Sequence, residues 1–82
     1  KSSSIDFYEE SLAKNPRQPE ARLALAKLYE KNKYYDKAAV SYQFYLGLVP
    51  DMEPKSRDKF QRKITKLQQR HLKQQQQLQA SS

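Results

Sequence analysis

Apolar residues in this 82-residue chain recur every three or four positions, the period of a helix with one buried face. Ile5, Tyr8 and Leu12 share such a face, with Ser11 beside them. Ser2, Ser3 and Ser4 precede it and can accept hydrogen bonds from the first exposed amides. Asn15-Pro16 ends it, because proline disfavours helical geometry in the residue before it. Pro19 suits the first turn of a second helix, where its missing amide is harmless. Strong helix formers fill residues 20–31, with Ala21, Leu25, Leu28 and Tyr29 in one stripe and Leu23 and Ala24 alongside. Asn32 and Lys33 form the stop. The spacing predicts a third helix from Tyr35 or Asp36 to Leu48, with Ala38, Ala39, Tyr42, Tyr45, Leu46 and Val49 as its buried face. Asp36 stands where the helix dipole favours negative charge. The second and third helices are joined by so few residues that they must form an antiparallel hairpin. Pro54 opens a fourth helix, reaching about Gln79, with a sparse stripe of Phe60, Ile64, Leu67, then His71 or Leu72, then Leu78. Its second half holds the run Gln74 to Gln77 and has little to bury. Ala80, Ser81 and Ser82 are expected to fray. The predicted fold class is all-α, with four helices and a long last one.

A repeat overlies this pattern. Tyr8, Leu12 and Pro16 are answered 34 residues later by Tyr42, Leu46 and Pro50. Self-similarity at that period belongs to helix–turn–helix units, which stack and bind partners. Composition agrees with helices throughout: one glycine, and charged residues at 30%. The core must be thin, because the mean hydropathy is −1.09. With no cysteine, disulfide, thiol and zinc-thiolate chemistry are excluded. Together with the lack of an apolar run long enough to cross a bilayer, this leads us to expect a cytoplasmic or nuclear protein. The opening at Lys1 rather than Met reads as an excised segment. The net charge is +7 and uneven: residues 1–50 carry eight Lys/Arg against six Asp/Glu, residues 51–82 eight against three. A boundary is therefore expected near residues 50–54.

The segment from Pro19 to Pro50 resembles a tetratricopeptide repeat. Leu25, Ala26 and Tyr29 match the Leu–small–Tyr signature of that family's first helix, and Tyr35 its turn aromatic. Ala38, Tyr42, Leu46 and Pro50 match the second helix and its closing proline. Residues 1–16, through Tyr8, Leu12 and Pro16, look like the second helix of a preceding repeat. Residues 17–50 then form a full repeat, and residues 51–82 a basic, Gln-rich capping helix. The sequence departs from the family pattern at three places. Arg22 stands where Trp is frequent. Lys33 replaces the usual turn glycine, so Asn32 or a strained Lys33 must make the bend. Tyr45 replaces a small residue, which implies altered packing. The resemblance implies antiparallel hairpins of a repeat superhelix and a scaffold that binds other proteins.

Candidate chemistry is that of binding. No nucleophile–base pair, metal-ligand cluster or phosphate-cradling loop is visible, so no catalysis, metal or cofactor is expected. His71 has no partner group in sequence and reads as a polar position on the last helix. By the resemblance, Leu23, Lys27, Glu30 and Lys31 face the concave groove. Lys27 and Lys31, four apart, share a helix face suited to an acidic peptide, or simply to water. Leu23 and Ala24 stand where polar clamp residues for a chaperone carboxyl terminus would be expected, which disfavours that ligand. Val40 and Phe44, with Tyr34, are a possible second surface, or pack on the terminal helix or a neighbouring chain. Arg62, Lys63, Lys66 and Arg70 make the fourth helix basic, either as a solvated cap or for nonspecific nucleic-acid binding. Phe60, Ile64, Leu67, His71, Gln74 and Leu78 also follow a coiled-coil spacing that would let two chains pair. With so few repeats, such pairing would add buried surface.

Overall fold

The computed structural model describes residues 4–81, with side chains through Gln77. It is all-α, and the described residues contain no strand. The helices are α1 (Ser4–Lys14), α2 (Pro19–Lys31), α3 (Tyr35–Leu48) and α4 (Pro54–Ser81). Each packs against the helix before it. The contacts run antiparallel. Arg22, early in α2, meets Phe44, late in α3, while Tyr29 meets Lys37. Along α4, Phe60 lies against Tyr45 and Arg70 against Tyr35. The Cα envelope is only 15 Å across its thinnest axis. A helix with side chains is about 10–12 Å wide, so both broad faces of this slab meet solvent.

The termini of the helices explain the connections. Gln18 bridges the first one: its side-chain amide donates to the carbonyls of Ser11 at 3.0 Å and Asn15 at 2.8 Å. The Ser11 carbonyl also accepts the Asn15 amide at 3.1 Å, so Gln18 reinforces the end of α1. The α2–α3 turn is a Schellman motif. The Tyr34 amide donates to the Tyr29 carbonyl at 2.8 Å and the Lys33 amide to that of Glu30 at 3.1 Å. Lys33 carries the left-handed conformation with φ 67°, so the strained residue is Lys33 rather than Asn32. The accompanying contact is aromatic, with the Tyr34 ring edge-on to Tyr29 at 6.2 Å. At the far end of α3, Arg57 donates to the carbonyls of Val49 at 3.1 Å and Pro50 at 3.2 Å. This covers the negative end of the helix dipole.

The core joins Leu12, Leu25, Ala26, Tyr29, Ala38, Ala39, Tyr42, Leu46, Ile64 and Leu67. Ala26 and Ala38 are fully buried, which sets the close approach of α2 and α3. Three details correct the sequence reading. In the α2 stripe Ala26 takes the fully buried place and Leu28 is half-buried. Ser41 is buried with the apolar face of α3. Leu72 is 57% exposed, so of the two alternatives on α4 the half-buried residue is His71. α4 extends to Ser81. The expectations for Ser2, Ser3, Ser82 and the Leu78 side chain lie outside the described residues. Tyr45, the oversized residue of α3, has a use: its ring stands edge-on to Phe60 at 5.4 Å and helps seat α4.

A candidate cationic groove between α2 and α4

Burial of Ile64 and Leu67 fixes the rotation of α4 about its own axis. Positions 59, 63, 66 and 70 then fall along one side of the helix, about one per turn. Lys59, Arg62, Lys63, Lys66 and Arg70 line an open groove of about 400 Å³ with Leu67, and α2 contributes Glu30 to its wall. Five cations thus face one anion. Lys59 to Arg70 spans about 16 Å of helix.

Glu30 is the pivot. Its Oε1 accepts from the Tyr42 hydroxyl at 2.9 Å and from Lys63 Nζ at 3.3 Å. One carboxylate therefore ties α2 to both α3 and α4. Lys63 Nζ also stands 5.5 Å from the Tyr42 ring centroid, within cation–π range. Tyr42 is fully buried, and its phenol is held above its ordinary pKa, first by burial and then by the Glu30 carboxylate. Tyr29 repeats the device one helix earlier. It donates to Glu9 of α1, and burial, then that carboxylate, raises its pKa.

The other groove cations are held loosely. Arg62 pairs with Asp58 on the exposed surface at 3.0 Å. The Arg70 guanidinium lies 5.8 Å from the Tyr35 ring. Exposed ion pairs of this kind contribute about 0–1 kcal/mol, so Arg62 can exchange Asp58 for another anion at little cost.

The residues chosen from sequence divide accordingly. Glu30, Arg62, Lys63, Lys66 and Arg70 come together in the groove. Lys27 and Lys31 are exposed on α2 outside its lining, and Leu23 is packed against the core. Tyr34, Val40 and Phe44 are all exposed, and Phe44 receives Arg22 of α2 at 4.1 Å from its ring centroid. Within the chain, Phe44 thus meets a cation of α2. The supposed coiled-coil seam is partly spent, because Ile64 and Leu67 are core residues and Phe60 packs on Tyr42 and Tyr45. Sequence reasoning missed the joining of Glu30 to Lys63, 33 residues apart. In the sequence α2 and α4 are separate surfaces, and no short-range spacing connects them.

Among the described residues, no group of three His, Cys, Asp or Glu is placed to hold a metal ion. No described helix is long and apolar enough to cross a membrane. Family models, curated proteins and solved structures return no match to the chain.

Proposed function

We propose that this chain is a protein-interaction scaffold of the tetratricopeptide-repeat kind, without catalysis, that takes an acidic segment of a partner into the groove between α2 and α4. The observation that carries the reading is the gathering of Lys59, Arg62, Lys63, Lys66 and Arg70 around a single anion, Glu30. The repeat assignment is supported by the 34-residue spacing and by the buried Leu25, Ala26, Tyr29, Ala38, Tyr42 and Leu46 at its signature positions. In this reading α4 serves as the capping helix. Its apolar residues cover α3 while Lys59, Arg62, Lys63, Lys66 and Arg70 line the groove. Glu30 then marks where a partner carboxylate sits, since it already meets Lys63 in the geometry an acidic side chain would use.

Fluorescence anisotropy of a labelled Glu-rich peptide tests this. Lys63→Glu with Lys66→Glu should abolish binding, and Lys27→Glu with Lys31→Glu should weaken it less. Glu30→Gln should tighten it, because an internal competitor is removed. Equal binding by the wild type and the Lys63/Lys66 double variant would overturn the assignment. A DNA duplex titrated in parallel separates the other reading of a basic helix. Tighter duplex binding, with a steep log–log salt slope of about −0.9 per neutralised phosphate, would move the function to nucleic acid.

A further inference from the structure

A second surface is built on a different principle. Pro16, Arg17, Phe44, Gly47 and Leu48 enclose an open cavity of about 390 Å³ where the α1–α2 connection meets the last turns of α3. Three of its walls are apolar, and Phe44 remains 45% exposed there. Val40, one turn earlier on α3, is 61% exposed and extends the apolar surface.

Gly47 is the informative residue. Its φ is not positive, so the backbone does not call for glycine. A Cβ built on it meets nothing within 4 Å, so no neighbour in the chain demands the small residue either. Glycine within a helix costs about 0.5–1 kcal/mol relative to alanine. The bare position does one thing in the fold: it leaves the cavity between Phe44 and Leu48 open, and lets another backbone come close.

The rim is preorganised. Asn15 Oδ1 accepts the Arg17 amide at 3.2 Å, and Gln18 ties the same connection to Ser11 and Asn15. Charge selects the occupant. The lining holds one cation, Arg17, and no anion. A second guanidinium, Arg22, stacks on the Phe44 ring from the neighbouring cavity, which Glu9 and Asp36 also line. The negative end of α3 is already covered by Arg57, so an arriving carboxylate is not repelled there.

We infer that this cavity is a docking site for a partner peptide segment in which a leucine-sized apolar side chain is followed by an acidic residue. The apolar chain fills the space over Gly47 against Phe44, Leu48 and Pro16, and the carboxylate meets Arg17. The site does not share a residue with the cationic groove, so either can fail without the other.

The test is ¹⁵N–¹H NMR of the full chain titrated with three acetylated, amidated hexapeptides, Gly-Ser-Leu-Glu-Ser-Gly and its Leu-Lys and Ala-Glu counterparts. The Leu-Glu peptide should shift the amides of Arg17, Phe44, Gly47 and Leu48 at millimolar concentration. The Ala-Glu peptide should bind about tenfold more weakly, from the lost apolar burial. Arg17→Glu should cost the Leu-Glu peptide about three- to fivefold in affinity, as expected of an exposed charge pair. Gly47→Gln should block binding while leaving thermal stability equal or higher, since glutamine is the better helix former. Four results would each overturn the proposal: no shift at these amides, equal binding of Leu-Lys, unchanged binding to Gly47→Gln, or line broadening at the same amides that grows with protein concentration alone. The last would make the occupant a second copy of the chain.

Discussion

The two halves of α4 differ in composition and in behaviour. Residues 54–67 carry six Lys/Arg and one glutamine, residues 68–81 two Lys/Arg and seven glutamines. In the first half, Phe60, Ile64 and Leu67 dock on α3, and docking aims Lys63 and Lys66 at Glu30 across the groove. Beyond Arg70 the described apolar residue is Leu72, and it faces water. Lys73, Gln75 and Gln76 are exposed as well. Positive charge is common to both halves, but a site needs charge held in place. A buried residue every turn supplies that hold, at about 1.5–3 kcal/mol for each fully buried side chain.

The largest effect should come from removing an anchor. Leu67→Ala should cost about 2–5 kcal/mol in urea denaturation, whereas Leu72→Ala should stay within about 0.5 kcal/mol. Equal costs would mean that both halves are docked alike.

Next comes the polar tie that joins the docked half to α2 and α3. Tyr42→Phe should cost about 0.5–1.5 kcal/mol at neutral pH, because Glu30 loses a donor. The same variant should change the alkaline limb of stability. The phenols of Tyr42 and Tyr29 have folded pKa values above the unfolded value of about 10. Their contribution is therefore complete below pH 10 and is lost as pH rises toward the folded values. A wild-type chain should lose stability above pH 10 more steeply than Tyr42→Phe, as followed by circular dichroism. Parallel curves would place the phenol outside the linkage.

The smallest effect concerns the turn rather than α4. Lys33→Gly should stabilise the chain by about 0.4–1 kcal/mol, because glycine adopts the left-handed conformation without Cβ strain. It should leave peptide binding in the groove unchanged. A destabilised Lys33→Gly would show that the turn owes more to the lysine side chain than to its backbone.

Much of the fold was legible because it is local. Pro19 and Pro54 open α2 and α4, Asn32 caps α2, and the three-to-four spacing located each buried face within a residue or two. The missing turn glycine narrowed the bend to Asn32 or a strained Lys33, and the backbone gives Lys33. Ser41 was not, since nothing in its type marks it as buried. The sites were less legible, because their residues meet only through tertiary packing. Glu30 reaches Lys63 across two connections, and Pro16, before α2, meets Gly47, late in α3, at the open end of the hairpin. Arg22, an irregularity in the repeat pattern, takes its meaning from Phe44 one helix away.

The most direct test of the account is a pair of charge reversals on α4, read by isothermal titration with a Glu-rich peptide at low salt. Lys63→Glu with Lys66→Glu, on the docked half, should lower affinity by about tenfold or more, whereas Lys73→Glu should change it less than about twofold. If Lys73→Glu weakens binding as much as the docked pair, the peptide is responding to net charge alone, and the groove between α2 and α4 is not the site.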